Sequence, residues 1–82
     1  MKGYLYAGGN TVPEKSEIVG IFDTDNSTWA RDTRLFLSKA EKNEKLRNEA
    51  EDLPKSFLVC TDGTVLMEQP NSAILAKRWE NN

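Results

Sequence analysis

The sequence contains no histidine and a single cysteine, Cys60. Without histidine, one chain cannot build a Ser-His-Asp triad, a Cys-His pair or a mixed Cys/His zinc site. Cys60 has no second cysteine to pair with in the chain. It lies in the apolar run 57–60, where a thiol packs as a small hydrophobic group. These absences predict a protein that is not an enzyme and that uses no cofactor or metal.

Long hydrophobic runs and an excess of one charge are also missing. No stretch approaches the about 18 apolar residues of a membrane helix, and residues 1–4 are not followed by a signal-peptide run. The 11 basic and 13 acidic residues give a net charge of −2, which disfavours nucleic acid unless the cations converge on one face. We therefore expect one soluble, cytoplasmic domain over residues 1–82, with no membrane contact and no small-molecule substrate.

Two stretches in the first half of the chain have the pattern of strands. Residues 3–7 alternate, and the glycine turn at 8–10 brings the chain back, which predicts an opening strand. Residues 17–22, EIVGIF, form a β-branched run bounded by polar residues and predict a buried strand. Gly20 within this run predicts the close approach of another backbone.

The main helix is predicted to follow a cap at Asn26 or Ser27. Its apolar side chains recur at spacings of three and four residues at Trp29, Thr33, Phe36, Leu37 and Ala40. The pattern alone leaves the end of the helix open, and we favour a stop at Asn43 in the left-handed conformation, with an extended piece through Leu46. Charges of both signs occupy its other face, at Arg31, Asp32, Arg34, Lys39 and Glu41.

The last third of the sequence predicts a hairpin and a short helix. Strands at 56–60 and 64–67 flank Asp62-Gly63, a dipeptide that suits a tight turn. Residues 70–72, PNS, end the second strand and cap a helix over 73–79. The expected class is α+β, with a small antiparallel sheet, one main helix and a short C-terminal helix.

Two pairs of carboxylates stand at element boundaries. Asp23 with Asp25 and Glu51 with Asp52 occupy positions where acidic residues serve as caps and turns. We therefore assign them structural roles in preference to catalysis or metal binding.

The order of the motifs carries a resemblance to a known family. The motifs are GGN at 8–10, EIVGIFD at 17–23, TRLFLSKAE at 33–41, LPKSFLV at 53–59 and VLMEQPNSAILAKR at 65–78. Together they resemble the bacterial extracellular matrix regulators, in particular the RemB branch. The resemblance implies a LytTR-like domain that assembles into a closed ring and acts on transcription of biofilm matrix genes by contacting DNA.

The resemblance also implies positions for DNA-contacting cations. Where the family has an arginine before the EIVGIFD strand, this sequence has Ser16, with Lys15 one position earlier. Where the RemA branch has an arginine pair before the hairpin, this sequence has Asp52 and Leu53, and Lys55 keeps the positive charge nearby.

Two functions therefore remain open at this point. In the first, a homo-oligomeric ring binds DNA phosphates through a face carrying Lys15, Lys55, Arg31 and Arg34. Lys15 and Lys55 each follow a proline closely and are expected to converge. In the second, the ring is an assembly or partner-binding protein without DNA contact, and these cations are ordinary solvated residues. Lys77 and Arg78 are expected to favour the negative end of the last helix.

Overall fold

The computed structural model describes residues 3–8, 12–24 and 30–80. A single 3-10 turn, Lys15–Glu17, precedes the first strand. The elements that follow are β1 (Ile18–Asp23), α1 (Ala30–Lys42), β2 (Leu46–Asn48), β3 (Ser56–Cys60), β4 (Val65–Glu68) and α2 (Ser72–Glu80).

The strands form one four-stranded sheet in the order β1-β3-β4-β2. β1 pairs antiparallel with β3, β3 pairs antiparallel with β4, and β2 pairs parallel with β4. The α+β class is confirmed, but the expected antiparallel sheet is in fact mixed. The short polar segment of β2 has no strand pattern of its own. It joins the sheet because the chain entering and leaving it bonds to β4, from the Val65 N–H to the Lys45 carbonyl (2.8 Å) and from the Glu49 N–H to the Met67 carbonyl (2.8 Å).

The β3–β4 hairpin is confirmed, together with its turn chemistry. Gly63 has φ +89°, in the region that glycine adopts without a steric penalty. The Cys60 N–H donates to the Thr64 carbonyl (2.8 Å), and the Thr64 N–H donates to the Asp62 carboxylate (2.9 Å). The dipeptide therefore closes the hairpin by both its backbone and its side chain.

α1 ends one residue before the predicted stop, but its left-handed residue is Glu44 (φ 59°) and not Asn43. The Lys45 N–H donates to the Ala40 carbonyl (2.8 Å), and the Glu44 N–H donates to the Glu41 carbonyl (3.0 Å). This pair of bonds is the Schellman motif, and it requires the left-handed residue directly before the donor that reaches furthest back. The predicted caps of this helix and Trp29 lie outside the described residues.

The sheet separates two apolar clusters, one on each face. Successive residues of a strand point to opposite faces, so Phe57 and Leu58 contribute to different clusters. On the α2 side the buried members are Leu5, Ala7, Leu58, Leu66 and Leu75. On the α1 side they are Ala40, Phe57, Val65 and Met67.

A bulge interrupts β1 between Ile18 and Gly20, so that Ile18 and Ile21 both pack against the α2-side cluster. Gly20 was predicted to lie close to another backbone, but its nearest neighbour is the ring of Phe22. A Cβ at Gly20 would lie 2.7 Å from two ring atoms of Phe22. The absence of a side chain therefore lets the Phe22 ring fold over the strand.

Residues 3–7 do not form the predicted strand. They make an isolated bridge, Tyr4 to Glu14, with the Leu5 N–H bonded to the Pro13 carbonyl (2.9 Å). Proline at 13 has no N–H, so it cannot return that bond and the ladder stays short. This N-terminal segment is nevertheless buried against the sheet, because Leu5 and Ala7 are fully enclosed. Gly9 and Asn10 of the predicted turn lie outside the described residues.

α2 confirms the predicted C-terminal helix and its cap. The Asn71 side chain accepts a hydrogen bond from the Ile74 N–H (2.9 Å), and Asp23 accepts one from the Ser72 N–H (3.0 Å). Asp23 thus has the capping role expected for it, on α2. In the parts of the chain that the structure describes, no helix is long and apolar enough to cross a membrane.

Replacing Leu75 by alanine is expected to lower the free energy of unfolding by about 2 to 5 kcal/mol, because its side chain is fully buried between α2 and the sheet. Urea unfolding monitored by circular dichroism measures the change. Ile74→Ala on the same helix is the matched control and should cost less than about 1 kcal/mol, since Ile74 is exposed. Equal losses for the two variants would contradict the packing of α2.

Candidate functional site

Lys15, the first candidate for a phosphate contact, is buried. Its side chain is 4% exposed, and its Nζ donates to the Trp79 carbonyl at 2.6 Å. The same ammonium lies 5.3 Å from the centre of the Trp79 ring. The last carbonyls of a helix lack partners within it and carry partial negative charge, so a lysine is well suited to this position. Lys15 holds α2 in place, and the expectation that it presents its charge at the surface is wrong.

A second cationic contact, from Arg78 of α2 to Tyr6, also joins the last helix to the N-terminal part of the chain. Arg78 of α2 donates from Nη1 to the Tyr6 carbonyl (3.1 Å), and its guanidinium lies 5.5 Å from the centre of the Tyr6 ring. Arg78 therefore has a structural role, but it is a contact to Tyr6 and not the expected one at the end of α2, whereas Lys77 is exposed. The two contacts tie the first described residues to the last helix.

The structure does not bring Lys15 and Lys55 together. Lys15 precedes the start of β1 and Lys55 precedes the start of β3, and these strands pair antiparallel, with Ile18 opposite Cys60 and Asp23 opposite Ser56. The two lysines therefore lie at opposite ends of the sheet, and the predicted convergence is wrong.

The other candidates lie at one end of the molecule. Lys55 is exposed, and its carbonyl accepts a hydrogen bond from the Thr24 N–H (3.1 Å) just beyond β1. The first turn of α1 is close to the same point, because Asp32 and Asp23 line a common groove. Arg31, next to Asp32, is thus at the same end as Lys55.

The solvent face of α1 carries a row of positive charges. At about 100° per residue, Arg31, Arg34 and Lys42 fall within a sector of about 80° around the helix. All three side chains are exposed, and so is that of Lys39, about 60° beyond Lys42. Glu41 lies about 20° from Arg34 at one margin of this row, and Asp32 lies about 100° from Arg31 beyond the other. The sequence pattern indicated a mixed-sign face, and Lys42 was not predicted because the end of the helix was open.

An open apolar groove lies on the α1 side of β1 and β3. Its volume is about 460 Å³, and apolar side chains dominate its lining of Val19, Phe22, Asp23, Asp32, Thr33, Phe36, Phe57 and Val59. Val19 is 66% exposed, and the Phe22 ring, 47% exposed, stacks on Phe57 with centroids 5.3 Å apart. Single exposed apolar residues are common, but a contiguous set in one groove indicates a contact surface.

In the part of the chain that the structure describes, α1 covers only part of its face of the sheet. Ala40 packs with Val65 and Met67, toward β4, whereas Asp32, Thr33 and Phe36 in the first turns of α1 line the groove beside β1 without filling it. Phe36, which its spacing predicted as a core residue, is 43% exposed at the rim. The sequence carried one signal for this surface, a glycine two residues before Phe22, which allows the ring to lie flat on the strand.

The loop at the family's arginine-pair position is ordered by Gln69. The Asp52 N–H donates to the Gln69 Oε1 (2.9 Å), and the Gln69 Nε2 donates to the Leu53 carbonyl (3.3 Å). Asp52 is exposed, and Leu53 is 76% exposed. The loop therefore presents an acid and an apolar side chain where the resemblance implies two cations.

The described residues contain no metal site, since no group of three or more metal-ligating side chains occurs among them. Burial raises the pKa of the Cys60 thiol above its usual value, and the nearby charges of Asp62, Glu17 and Glu68 raise it further. A thiol held in its neutral form is a poor nucleophile, in line with a packing role for Cys60.

Comparisons with known proteins do not place the chain. No protein-family model matches it, and no curated protein sequence matches it significantly. The function of the chain is therefore inferred from the groove, the charges and the motifs.

Replacing Lys15 by alanine is expected to lower the free energy of unfolding by about 1.5 to 3 kcal/mol, because a hydrogen bond from a buried charged donor is lost. Thermal and urea unfolding measure the loss. Lys77→Ala, on the exposed side of the same helix end, is the matched control and should stay within about 0.5 kcal/mol of the wild type. A Lys15 variant as stable as the control would show that the contact to Trp79 contributes nothing.

Proposed function

We propose that this chain is a non-enzymatic subunit that assembles with copies of itself, head to tail, through the edges of its sheet. The observation that carries the proposal is the apolar groove beside β1. A strand edge with apolar side chains and no covering element is a template for pairing with another chain. The occupant of the groove is therefore a second copy of this chain.

The two edges of the sheet are suited to each other. β1 and β2 are its outer strands, and no other described strand pairs with them. Both run parallel to β4, so β2 of one copy can extend the sheet of the next copy beyond β1 in the parallel direction. The two edges also carry charges of opposite sign, Arg47 in β2 and Asp23 at the end of β1.

Head-to-tail pairing also provides a cover for the groove. α1 lies on the β2 side of its sheet face, so the neighbour's α1 would stand over the face that each copy leaves bare at β1. Repetition of one such contact closes into a ring when the rotation between copies allows it. The ring expected from the resemblance is in this way supported by the open edges.

The EIVGIFD and LPKSFLV motifs support a role for this assembly in the transcription of biofilm matrix genes. The first of these motifs is β1 and the residue before it, and the second contains most of β3. The residues that carry the resemblance are thus the residues that form the groove.

Replacing Val19 by lysine is expected to reduce self-association, because it places a charge on the exposed apolar edge of β1. The mass in solution at micromolar concentration measures the effect, and we expect a multimer for the wild type and a shift toward monomer for the variant. Val12→Lys introduces the same charge at an exposed valine outside β1 and should leave the assembly unchanged. A strictly monomeric wild type would refute the proposal.

Direct binding of DNA phosphates is a second candidate function, favoured by the row of cations on α1. In a ring, each copy contributes the same row, so weak contacts are repeated along one DNA molecule. The contact set then contains Arg31 and Arg34 with Lys42, and Lys55 adds a charge at the end of the row. Lys15 is not part of it, because its ammonium is committed to α2.

The double change Arg31→Ala, Arg34→Ala is expected to weaken DNA binding and to lower the slope of log K against log salt by about 2, if each arginine neutralises one phosphate. Mobility-shift titrations at two salt concentrations measure both. The matched control, Lys77→Ala, removes an exposed cation from α2 and should leave the slope unchanged. An assembled wild type without salt-sensitive binding would contradict DNA contact and leave the assembly function alone.

A further inference from the structure

Glu68, the last residue of β4, places a carboxylate in the interior of the molecule. Glu68 is fully buried, and no donor from the described residues reaches either carboxylate oxygen. It points to the same face as Leu66, its neighbour two positions earlier, because alternate residues of a strand share a face. That is the face covered by α2 and the N-terminal segment.

Among the residues that the structure describes, the charge that acts on Glu68 is the negative charge of Glu49. Its partner across the sheet is Ser56, whose hydroxyl donates instead to the Pro70 carbonyl (2.6 Å). On the β2 side stands Glu49, a second carboxylate. Residues 3–8 contain no charged side chain, and Arg78 of α2 donates to the Tyr6 carbonyl.

Burial is the main reason that the pKa of Glu68 rises from 4.5 to about 7, and the charge of Glu49 raises it further. A buried carboxylate that is neither paired nor hydrogen-bonded is favourable only in its protonated form. The folded structure around Glu68 is therefore the structure of the neutral acid.

The N-terminal segment, residues 3–8, is the cover that can be removed. Ala7 belongs to the cluster that contains Leu66, and a side-chain carbon at Gly8 would lie 3.7 Å from the Pro70 ring, two residues beyond Glu68. No strand ladder attaches this segment to the sheet. Its backbone hydrogen bonds run to Pro13 and Lys15, the Tyr4 hydroxyl donates to Glu14, and Arg78 donates to the Tyr6 carbonyl.

We propose that Glu68 is a proton-operated latch, which holds the N-terminal segment closed over the sheet when it is neutral and releases the segment when it ionises. Release exposes Glu68 to water and uncovers Leu66 and Leu58. The latch acts on the α2 side of the sheet, opposite the groove, and does not depend on the proposed assembly.

The direction of the pH effect follows from the two protonation states. The released form binds its proton with an ordinary carboxyl pKa near 4.5, whereas the closed form holds it to about 7. Closure is therefore most favourable at acid pH, and it weakens roughly tenfold for each pH unit between these two values. Above pH 7 it levels off at its weakest.

Hydrogen exchange at the Leu5 amide tests the latch, because that N–H ties the N-terminal segment to the Pro13 carbonyl. Protection factors, corrected for intrinsic exchange at each pH, should fall at Leu5 between pH 5 and pH 8. The Cys60 amide, bonded in the hairpin turn, is the internal control and should lose less. Equal losses at both amides would mean global unfolding and would overturn the latch.

Two variants and one titration complete the test. Glu68→Gln, which has the same shape and no titration, should keep Leu5 protected at both pH values. In Glu49→Gln, the protection at Leu5 should still fall as the pH rises, but the midpoint of the fall should move to lower pH. The reason is that the negative charge of Glu49, which raises the pKa of Glu68 further, is removed. In the wild type, a carboxyl carbon resonance of Glu68 that titrates near pH 7 supports the latch. A midpoint near 4.5 overturns it, whether or not the glutamine variant folds.

Discussion

The bond from the Lys15 ammonium to the Trp79 carbonyl joins the segment before β1 to the end of α2. It satisfies a helix terminus and places the cation on the Trp79 ring, in a site where water is excluded. With Lys15 in place, α2 lies over the start of β1 and the N-terminal segment lies over β4. The α2 side of the sheet is the better covered of the two faces as a consequence.

The two faces of the sheet are covered to different degrees. On the α2 side, an extra layer formed by residues 3–8 supplements the helix, and the buried set is fully enclosed. On the α1 side, one helix has to cover four strands, and it covers those nearest to β2. The uncovered remainder is the groove. A small domain with one closed face and one open face gains stability from a neighbour, which is the physical basis of the proposed assembly.

The charged side chains also differ between the interior contacts of the subunit and its outer surface. Lys15 and Arg78 are used inside the subunit, while the cations of α1 and Lys55 point to solvent. Acidic residues stand at the groove and in the loop held by Gln69, so the outer surface carries charge of both signs in separate places. An assembly that pairs opposite charges at its junctions would leave the α1 row as its positive surface.

The sequence by itself determined the elements whose physical cause is local. Asp62-Gly63 closes the hairpin by backbone freedom and one carboxylate, Asn71 caps α2, and the β-branched run at β1 forms a strand wherever it pairs. Position along the chain could not indicate that α2 ends beside Lys15, that a short polar segment pairs parallel with β4, or that Glu68 has no donor within reach. These features depend on which distant residues meet, and that is set by how the layers pack.

The candidate site divides in the same way. The charges of Arg31, Arg34 and Lys55 could be listed from the sequence, whereas the burial of Lys15 and the exposure of Phe22 and Phe36 were decided by the tertiary structure, because one helix is too narrow to cover the whole sheet.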